Sequence, residues 1–311
     1  MKSWIGKRVF VTGGTGFIGA NIVRRLVREK AEVVLLVRPN AHLWRLKGIL
    51  PKMSLIQGDL TRANDVEKAV SQVCPHAIFH LATFRANKNP TTFSNFVTTN
   101  LFGATHLAVA AKKANVQIFV SAGSQLEYGN TLKPHRESDL LRPVTLYGLT
   151  RAASTMYFQY AAQELGLPIV VLRLFHVYGP WESHERLIPT AIRAALTGAR
   201  LPMTEQGFHR DYVFVEDVVE AFLAAAARPD LGGEIFNIGS GVQTSNEEAL
   251  AIIERVTGKV ISSQIGAYKK HLHDTIFRVA DIRKAGDILG WRPRYTLDKG
   301  IRKTAEWVRA Q

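Results

Sequence analysis

The chain has 311 residues, 46% of them hydrophobic, which is more than one minimal domain needs and suits one large α/β unit with a smaller lobe. Its formal charge of +14 comes from Lys and Arg scattered in runs of no more than two, which argues against a nucleic-acid-binding stretch, and no basic amphipathic helix marks a membrane surface. Two readings of the charge remain, a small phosphate-bearing ligand and a general solubility bias.

Residues 1–7 lead straight into an apolar strand, so no secretory leader is expected, and the longest apolar stretches, 33–37 and 221–227, are too short to span a bilayer. The single cysteine, Cys74, excludes an internal disulfide and fits a reducing cytoplasm. Residues 7–12 form a short apolar strand. Residues 17–29 then place Ile22, Val23, Leu26 and Val27 on one helical face and Arg24, Arg25 and Arg28 on the other. The β-branched run 32–37 reads as a strand buried on both faces. A short strand follows at 54–57, then a helix capped by Asn64 and ending at Val73. Strands at 76–81, 117–121 and 169–172 alternate with helices at 93–114 and 147–165. This alternation predicts a doubly wound parallel sheet of the Rossmann type. Beyond Leu174 the pattern loosens, with helices at 216–227 and 246–257 and a strand at 234–238. The expected division is a dinucleotide-binding domain over 1–175, with a return segment at about 211–240, and a mainly substrate-binding lobe over 176–311.

The segment Thr12-Gly13-Gly14-Thr15-Gly16-Phe17-Ile18-Gly19 leaves the first strand and opens the first helix. Its glycines permit a tight turn, close approach of backbone to a pyrophosphate and helix-on-strand packing, while the helix N-terminus offers free N–H groups. A plain turn would share the glycines but would not need the strand–turn–helix setting. An acid at the end of the second strand ordinarily accepts the ribose hydroxyls of NAD. Here Val37 is followed by Arg38, whose guanidinium suits a 2′-phosphate, so NADP(H) is favoured and NAD is the alternative. Arg38 as a solvated loop residue is the competing reading.

Further motifs extend the pattern through most of the chain. They are Gly58-Asp59-Leu60, His80-Leu81-Ala82, Ser124 with Tyr128-Gly129, and Tyr147 to Arg151. Later come Leu172-Arg173-Leu174, Val177-Tyr178-Gly179-Pro180, Arg210-Asp211-Tyr212-Val213, Phe236-Asn237-Ile238-Gly239 and Leu289-Gly290-Trp291. With them the sequence resembles the extended short-chain dehydrogenase/reductase family, the NAD(P)-dependent nucleotide-sugar epimerases, dehydratases and ketoreductases. The resemblance implies that Tyr147 is the acid/base and that Ser124 orients the substrate oxygen. A phenol titrates near 10 and works near neutrality only beside positive charge. The family supplies that charge with a Lys four residues after the Tyr, where this chain has Arg151, which can stabilise a phenolate but cannot relay a proton. Packing and capping are the structural alternatives for Tyr147 and Ser124. The implied cofactor contacts are Gly13, Thr15, Gly16, Phe17, Ile18, Arg38, Asp59, Leu60, Leu81, Ala82, Tyr147 and Arg151. The implied substrate contacts are Gln125, His176 (where the family usually has Asn), Arg186, and Arg210 for a diphosphate, with an ion pair to Asp211 or Asp217 as the alternative for Arg210.

Members that dehydrate sugars carry a Glu two residues after the Thr/Ser. Here Gln125 and Leu126 follow Ser124 and Glu127 comes one position late, which argues against dehydration. The expected reaction is NADPH-dependent reduction of a nucleotide-diphospho-4-keto-6-deoxy sugar, with C4 epimerisation as the alternative. Arg151 raises a third possibility, a non-catalytic NADP-binding protein. The pairs His76/His80 and His271/His273, the latter beside Asp274, lack metal-site spacing, so no metal is expected. Loops at 83–98, 180–210 and 266–278 are expected to set the substrate, and the apolar helices at 93–114 and 149–165 a homodimer.

Overall fold

A computed structural model describes residues 3–85, 93–268 and 276–311. The chain forms two compact units, one comprising Met1–Glu127, Pro143–Arg173 and Val219–Phe236, the other Tyr128–Arg142, Leu174–Val218 and Asn237–Gln311.

The first unit is built on a seven-stranded sheet. Its strands are β1 (Arg8–Thr12), β2 (Glu32–Val37), β3 (Ser54–Gln57), β4 (Ala77–His80), β5 (Ile118–Ser124), β6 (Ile169–Leu174) and β7 (Ile235–Ile238), in the spatial order β7-β6-β5-β4-β1-β2-β3. Pairings β1–β2, β1–β4, β2–β3 and β4–β5 are parallel. The order reverses between β1 and β4, and in such sheets ligands bind at the carboxyl ends beside that reversal. The register brings Thr12 opposite both Leu36 and His80, so the ends of β1, β2 and β4 come together there. Helix α1 (Phe17–Arg28) buries Ile22, Val23 and Leu26 and turns its arginines outward, as its sequence period requires. On one sheet face Phe10, Ile78, Phe119 and Val171 pack with Val66 and Val70 of α2 (Ala63–Val73), Leu107 of α3 (Gly103–Lys113) and Phe158 of α4 (Leu146–Leu165). Phe79 meets Phe222 edge-on at 6.0 Å.

Three local expectations change. Helix α2 starts at Ala63 with Arg62 at its cap, so Asn64 lies inside the first turn, and the Asp65 carboxylate instead accepts the N–H of Asp59 at 3.1 Å. The helix expected over 93–114 is interrupted: Phe93–Phe96 is α-helical, Val97–Phe102 is a π-turn, and α3 follows. Helix α4 departs from the ordinary amphipathic pattern. It buries Thr150, Arg151, Ser154 and Thr155 beside Ala152, Phe158 and Ala161, while exposing Leu149, Met156 and Tyr160.

The second unit packs α5 (Leu187–Thr197), α6 (Asn246–Thr257) and α7 (Leu297–Arg309) around Tyr178, Tyr212 and Phe214. Its irregular segments are tied together by the fully buried Asp211 carboxylate. That group accepts from Ser240 N and Oγ at 2.5 and 2.7 Å, Gly241 N at 3.1 Å and Ala280 N at 2.9 Å.

Candidate active site

The Gly-rich turn closes on the chain that leaves β4. Gly13 has φ +73°, and a Cβ there would lie 2.4 Å from Ala82 N and 2.5 Å from Leu81 C. A Cβ on Gly19 would lie 2.2 Å from the Gly13 carbonyl oxygen, which also accepts the N–H of Gly16 at 3.0 Å. No side chain therefore fits at 13 or 19, because backbone packs directly against backbone there. Phe17 and Ile18 open α1, whose first turn has no acidic residue and no side-chain cap, leaving its dipole directed at the glycines. Leu81 and Ala82 thus lie directly against the Gly-rich turn.

Arg38 follows β2 directly and is exposed. Asp59 stands after β3, where one carboxylate oxygen accepts both Thr61 N and Thr61 Oγ1 at 2.9 Å. Leu60 is buried beneath Gly103, with its carbonyl hydrogen-bonded to the His106 ring at 3.0 Å.

Ser124 ends β5 and is 7% exposed, with its Oγ accepting the N–H of Leu126 at 3.2 Å. Its own N–H donates to Glu127 Oε1 at 2.7 Å, and Glu127 Oε2 accepts from Arg173 Nε at 2.7 Å. Both partners of that ion pair are buried. Glu127 therefore faces into the sheet and braces the Ser124 turn from behind. Gln125 is 9% exposed, and its Oε1 has no hydrogen-bond partner in the protein.

Thr145 caps α4 by accepting the N–H of Gly148 at 3.0 Å. A Cβ on Gly148 would lie 2.0 Å from the Leu126 carbonyl oxygen, so the residue after Tyr147 must be glycine for α4 to start against the Ser124–Leu126 turn. Tyr147 is half-buried, with the Arg85 guanidinium 5.8 Å from its ring centroid. One helical turn on, Arg151 is 2% exposed, and its Nε and Nη1 have no hydrogen-bond partner in the protein. Its charge acts on His80, which is fully buried with Nδ1 2.7 Å from Thr12 Oγ1 and with Nε2 unpartnered. Burial first and Arg151 second push the His80 pKa down to about 3, so His80 is neutral.

Asn100, on the π-turn, did not stand out in the sequence. It accepts from Phe84 N at 2.6 Å and Thr83 Oγ1 at 3.0 Å, and donates to Phe84 O at 3.1 Å and Thr150 Oγ1 at 3.0 Å. Its own carbonyl accepts from Ser154 Oγ at 2.6 Å. It ties the loop after β4 to the helix that carries Tyr147 and Arg151. The stretch around it also holds Ser94, Asn95, Thr98 and Thr99, so nothing in the sequence singled it out.

In the second unit His176, Arg186 and Arg210 converge on Tyr212. The His176 ring stands edge-on to it at 5.1 Å, and both arginines act on its phenol, whose pKa is raised mainly by burial. Arg210 donates to His209 O at 2.9 Å, and Arg186 lies 3.5 Å from the Glu182 carboxylate. Asp211 and Asp217 are both engaged by backbone N–H groups, Asp217 by those of Arg294 and Tyr295 at 2.9 and 3.1 Å. His271, His273 and Asp274 lie outside the described residues, and among the described residues no three His, Cys, Asp or Glu side chains form a metal-binding group. Among the described residues no helix is long and apolar enough to cross a membrane.

Comparison with known proteins agrees with this architecture. The model of the NAD dependent epimerase/dehydratase family matches residues 9–239. A UDP-glucose 4-epimerase of Mycolicibacterium smegmatis is 31% identical over 97% of this chain and 98% of its own length. A trifunctional UDP-glucose 4,6-dehydratase/3,5-epimerase/reductase of Arabidopsis thaliana is 28% identical over 99% of this chain, which spans 48% of that longer protein. The solved structure of MoeE5 in complex with UDP-glucose and NAD superposes with a TM-score of 0.85 at 29% identity, covering 97% of this chain and 99% of that one. The chain belongs to the NAD-dependent epimerase/dehydratase family, the extended short-chain dehydrogenase/reductase enzymes that act on nucleotide sugars.

Proposed function

We propose that this chain catalyses reversible hydride transfer at C4 of a nucleotide-diphospho-hexose, with C4 epimerisation as the net reaction and NADP(H) as the cofactor. The observation that carries the reading is the buried Arg151 guanidinium, with two donors unpartnered in the protein, one helical turn from Tyr147. A buried cation with unused donors is costly unless a ligand completes it. Ribose hydroxyls and a developing phenolate are such ligands. The close-packed backbone at Gly13 and Gly19 and the uncapped start of α1 fit the pyrophosphate of a dinucleotide, with Thr15, Gly16, Phe17 and Ile18 along it. Asp59, Leu60, Leu81 and Ala82 line the adenosine half, and Arg38 meets a 2′-phosphate. A bound nicotinamide supplies the hydride acceptor and donor.

The chain's own residues handle the proton. Tyr147 takes it from the C4 hydroxyl and returns it, Ser124 Oγ orients that oxygen, and Arg151 stabilises the phenolate by charge without relaying a proton. Gln125 offers its unpartnered amide oxygen to the sugar. His176, Arg186 and Arg210 take the nucleotide diphosphate. The brace between Glu127 and Arg173 removes the carboxylate that dehydration would need. The exposed Leu149, Met156 and Tyr160 of α4 recur at spacings of seven and four, and the exposed Phe102 of the π-turn and Val109 of α3 lie seven apart. We assign this apolar surface to a homodimer. The sole cysteine, Cys74, is exposed and unpaired, which supports a cytoplasmic site.

Incubating the purified chain with UDP-glucose and no added cofactor, then resolving C4 epimers by chromatography, tests the proposal. Epimer formation supports it. The second reading, reduction of a nucleotide-diphospho-4-keto-6-deoxy sugar, is favoured by Arg38. It gains if NADPH is consumed stoichiometrically with a 4-keto substrate while no epimer forms.

A further inference from the structure

We propose that Arg45 is a second cation for the 2′-phosphate of the cofactor's adenosine, acting alongside Arg38 and setting the choice of NADP(H) over NAD(H); this rests on the NADP(H) reading above. Arg45 sits on the short helical turn Trp44–Leu46, seven residues after Arg38. Its Nη1 lies 3.5 Å from the carbonyl oxygen of Thr15, inside the Gly-rich turn. The register of β1 against β2 places the turn after Thr12 and the residue after Val37 together at the carboxyl end of the sheet. Arg38 follows β2 and Arg45 Nη1 touches the turn that follows β1, so both residues stand at the carboxyl end of the sheet, where an adenosine ribose lies in this fold.

The turn that carries Arg45 is fixed in place. Leu46 is fully buried, and Arg24 of α1 donates to Arg45 O at 3.1 and 2.8 Å and to Lys47 O at 3.0 Å. The guanidinium lies 4.3 Å from the Trp44 ring centroid, which restricts its orientation. Burial pushes its pKa below the ordinary arginine value, the mark of a cation that has lost hydration. Such a group gains more from a dianionic phosphate than a fully solvated one does. The sequence supplies the complementary observation. From residue 33 to 58 there is no Asp or Glu, while Arg38, Arg45, Lys47 and Lys52 are all present, so nothing in this segment repels a phosphate.

The test is calorimetric titration of the full chain with adenosine 2′,5′-bisphosphate and with 5′-AMP, which differ only in the 2′-phosphate. The wild type is expected to favour the bisphosphate. Arg45→Ala and Arg38→Ala should each weaken bisphosphate binding about 10- to 100-fold while shifting 5′-AMP binding less than about threefold, with Arg45→Lys intermediate. A wild type that binds both probes equally overturns the NADP(H) reading and this assignment together. A wild-type preference that survives in Arg45→Ala overturns the Arg45 assignment alone. Equal weakening of both probes in Arg45→Ala and in Arg45→Lys also overturns it, because Arg45 would then only shape the turn.

Discussion

His80 gives a pH dependence whose sign and size follow from its surroundings. The ring is fully buried, shares a 2.7 Å hydrogen bond with Thr12 Oγ1, and meets the rings of Phe119 and Phe158 edge-on at 6.0 and 6.1 Å. Its pKa falls from 6.5 to about 3, first through burial and then through Arg151. The unfolded chain takes up this proton below pH 6.5, whereas the folded chain refuses it until about pH 3. The stabilising contribution is therefore complete above pH 6.5 and is lost as pH falls, at about 1.4 kcal/mol per pH unit, with a limit of about 5 kcal/mol. At pH 4.5 about 3 kcal/mol has gone. The comparison is urea unfolding of the wild type and His80→Asn at pH 7.5, 6.5, 5.5 and 4.5. Asn keeps a polar atom near Thr12 but cannot take up the proton. The carboxylates that titrate in this range are common to both proteins and cancel in the difference. The variant should be less stable at pH 7.5 by about 1–3 kcal/mol, through lost packing. That gap should close or invert by about 3 kcal/mol at pH 4.5. A gap that stays constant from pH 7.5 to 4.5 would refute the argument, because His80 would then take up its proton equally in both states.

Other substitutions separate chemistry from architecture. Tyr147→Phe should lower turnover about 10²- to 10⁴-fold in the epimer assay while leaving the melting temperature within about 2 °C. Glu127→Gln should cost about 3–5 kcal/mol in urea unfolding by removing the buried carboxylate charge 2.7 Å from the Arg173 Nε, an effect a solvent-facing catalytic carboxylate would not produce. Gly13→Ala should weaken dinucleotide binding at least about tenfold by fluorescence titration, because the added methyl meets the backbone of Leu81 and Ala82. Met156→Lys with Tyr160→Lys should shift the mass measured by light scattering from dimer to monomer, and an unchanged mass would remove these residues from the interface.

The fold was readable because its signals are local. The β-branched run of β2, the glycine spacing after β1 and the arginine-backed face of α1 each declare one element, and parallel alternation constrains how they assemble. The features that escaped depend on distant partners. A helix that is apolar almost all round does not declare which face it buries, and only packing reveals that Arg151 points inward while Met156 points out. Asn100 looked like any amide until the loop at Thr83 and Phe84 and the hydroxyl of Thr150 closed around it. The displaced Glu127 was legible only as an offset in sequence. Its pairing with Arg173, forty-six residues away, turned that offset into a structural role.

These placements bear on why Arg151 is tolerated where the family uses Lys. A lysine ammonium is compact and can both hold a ribose hydroxyl and pass a proton. A guanidinium is larger and permanently charged, so it needs neighbours that make room for it without adding positive charge. His80 meets that requirement, because burial and the field of Arg151 keep its ring neutral. Its Nδ1 is occupied by Thr12, whose strand leads directly into the Gly-rich turn, so the histidine is held at the reversal point of the sheet. Nε2 of His80 and Nε and Nη1 of Arg151 then remain as the buried groups without protein partners in this corner. The arginine nitrogens donate, and Nε2 of the neutral ring donates or accepts with its tautomer, a pattern that hydroxyl groups, which do both, match better than a second anion. In the proposed mechanism the substitution would preserve binding and orientation and leave proton handling to Tyr147 alone. Arg151→Lys should consequently keep turnover in the epimer assay, whereas Arg151→Ala should lower both turnover and dinucleotide affinity at least about tenfold.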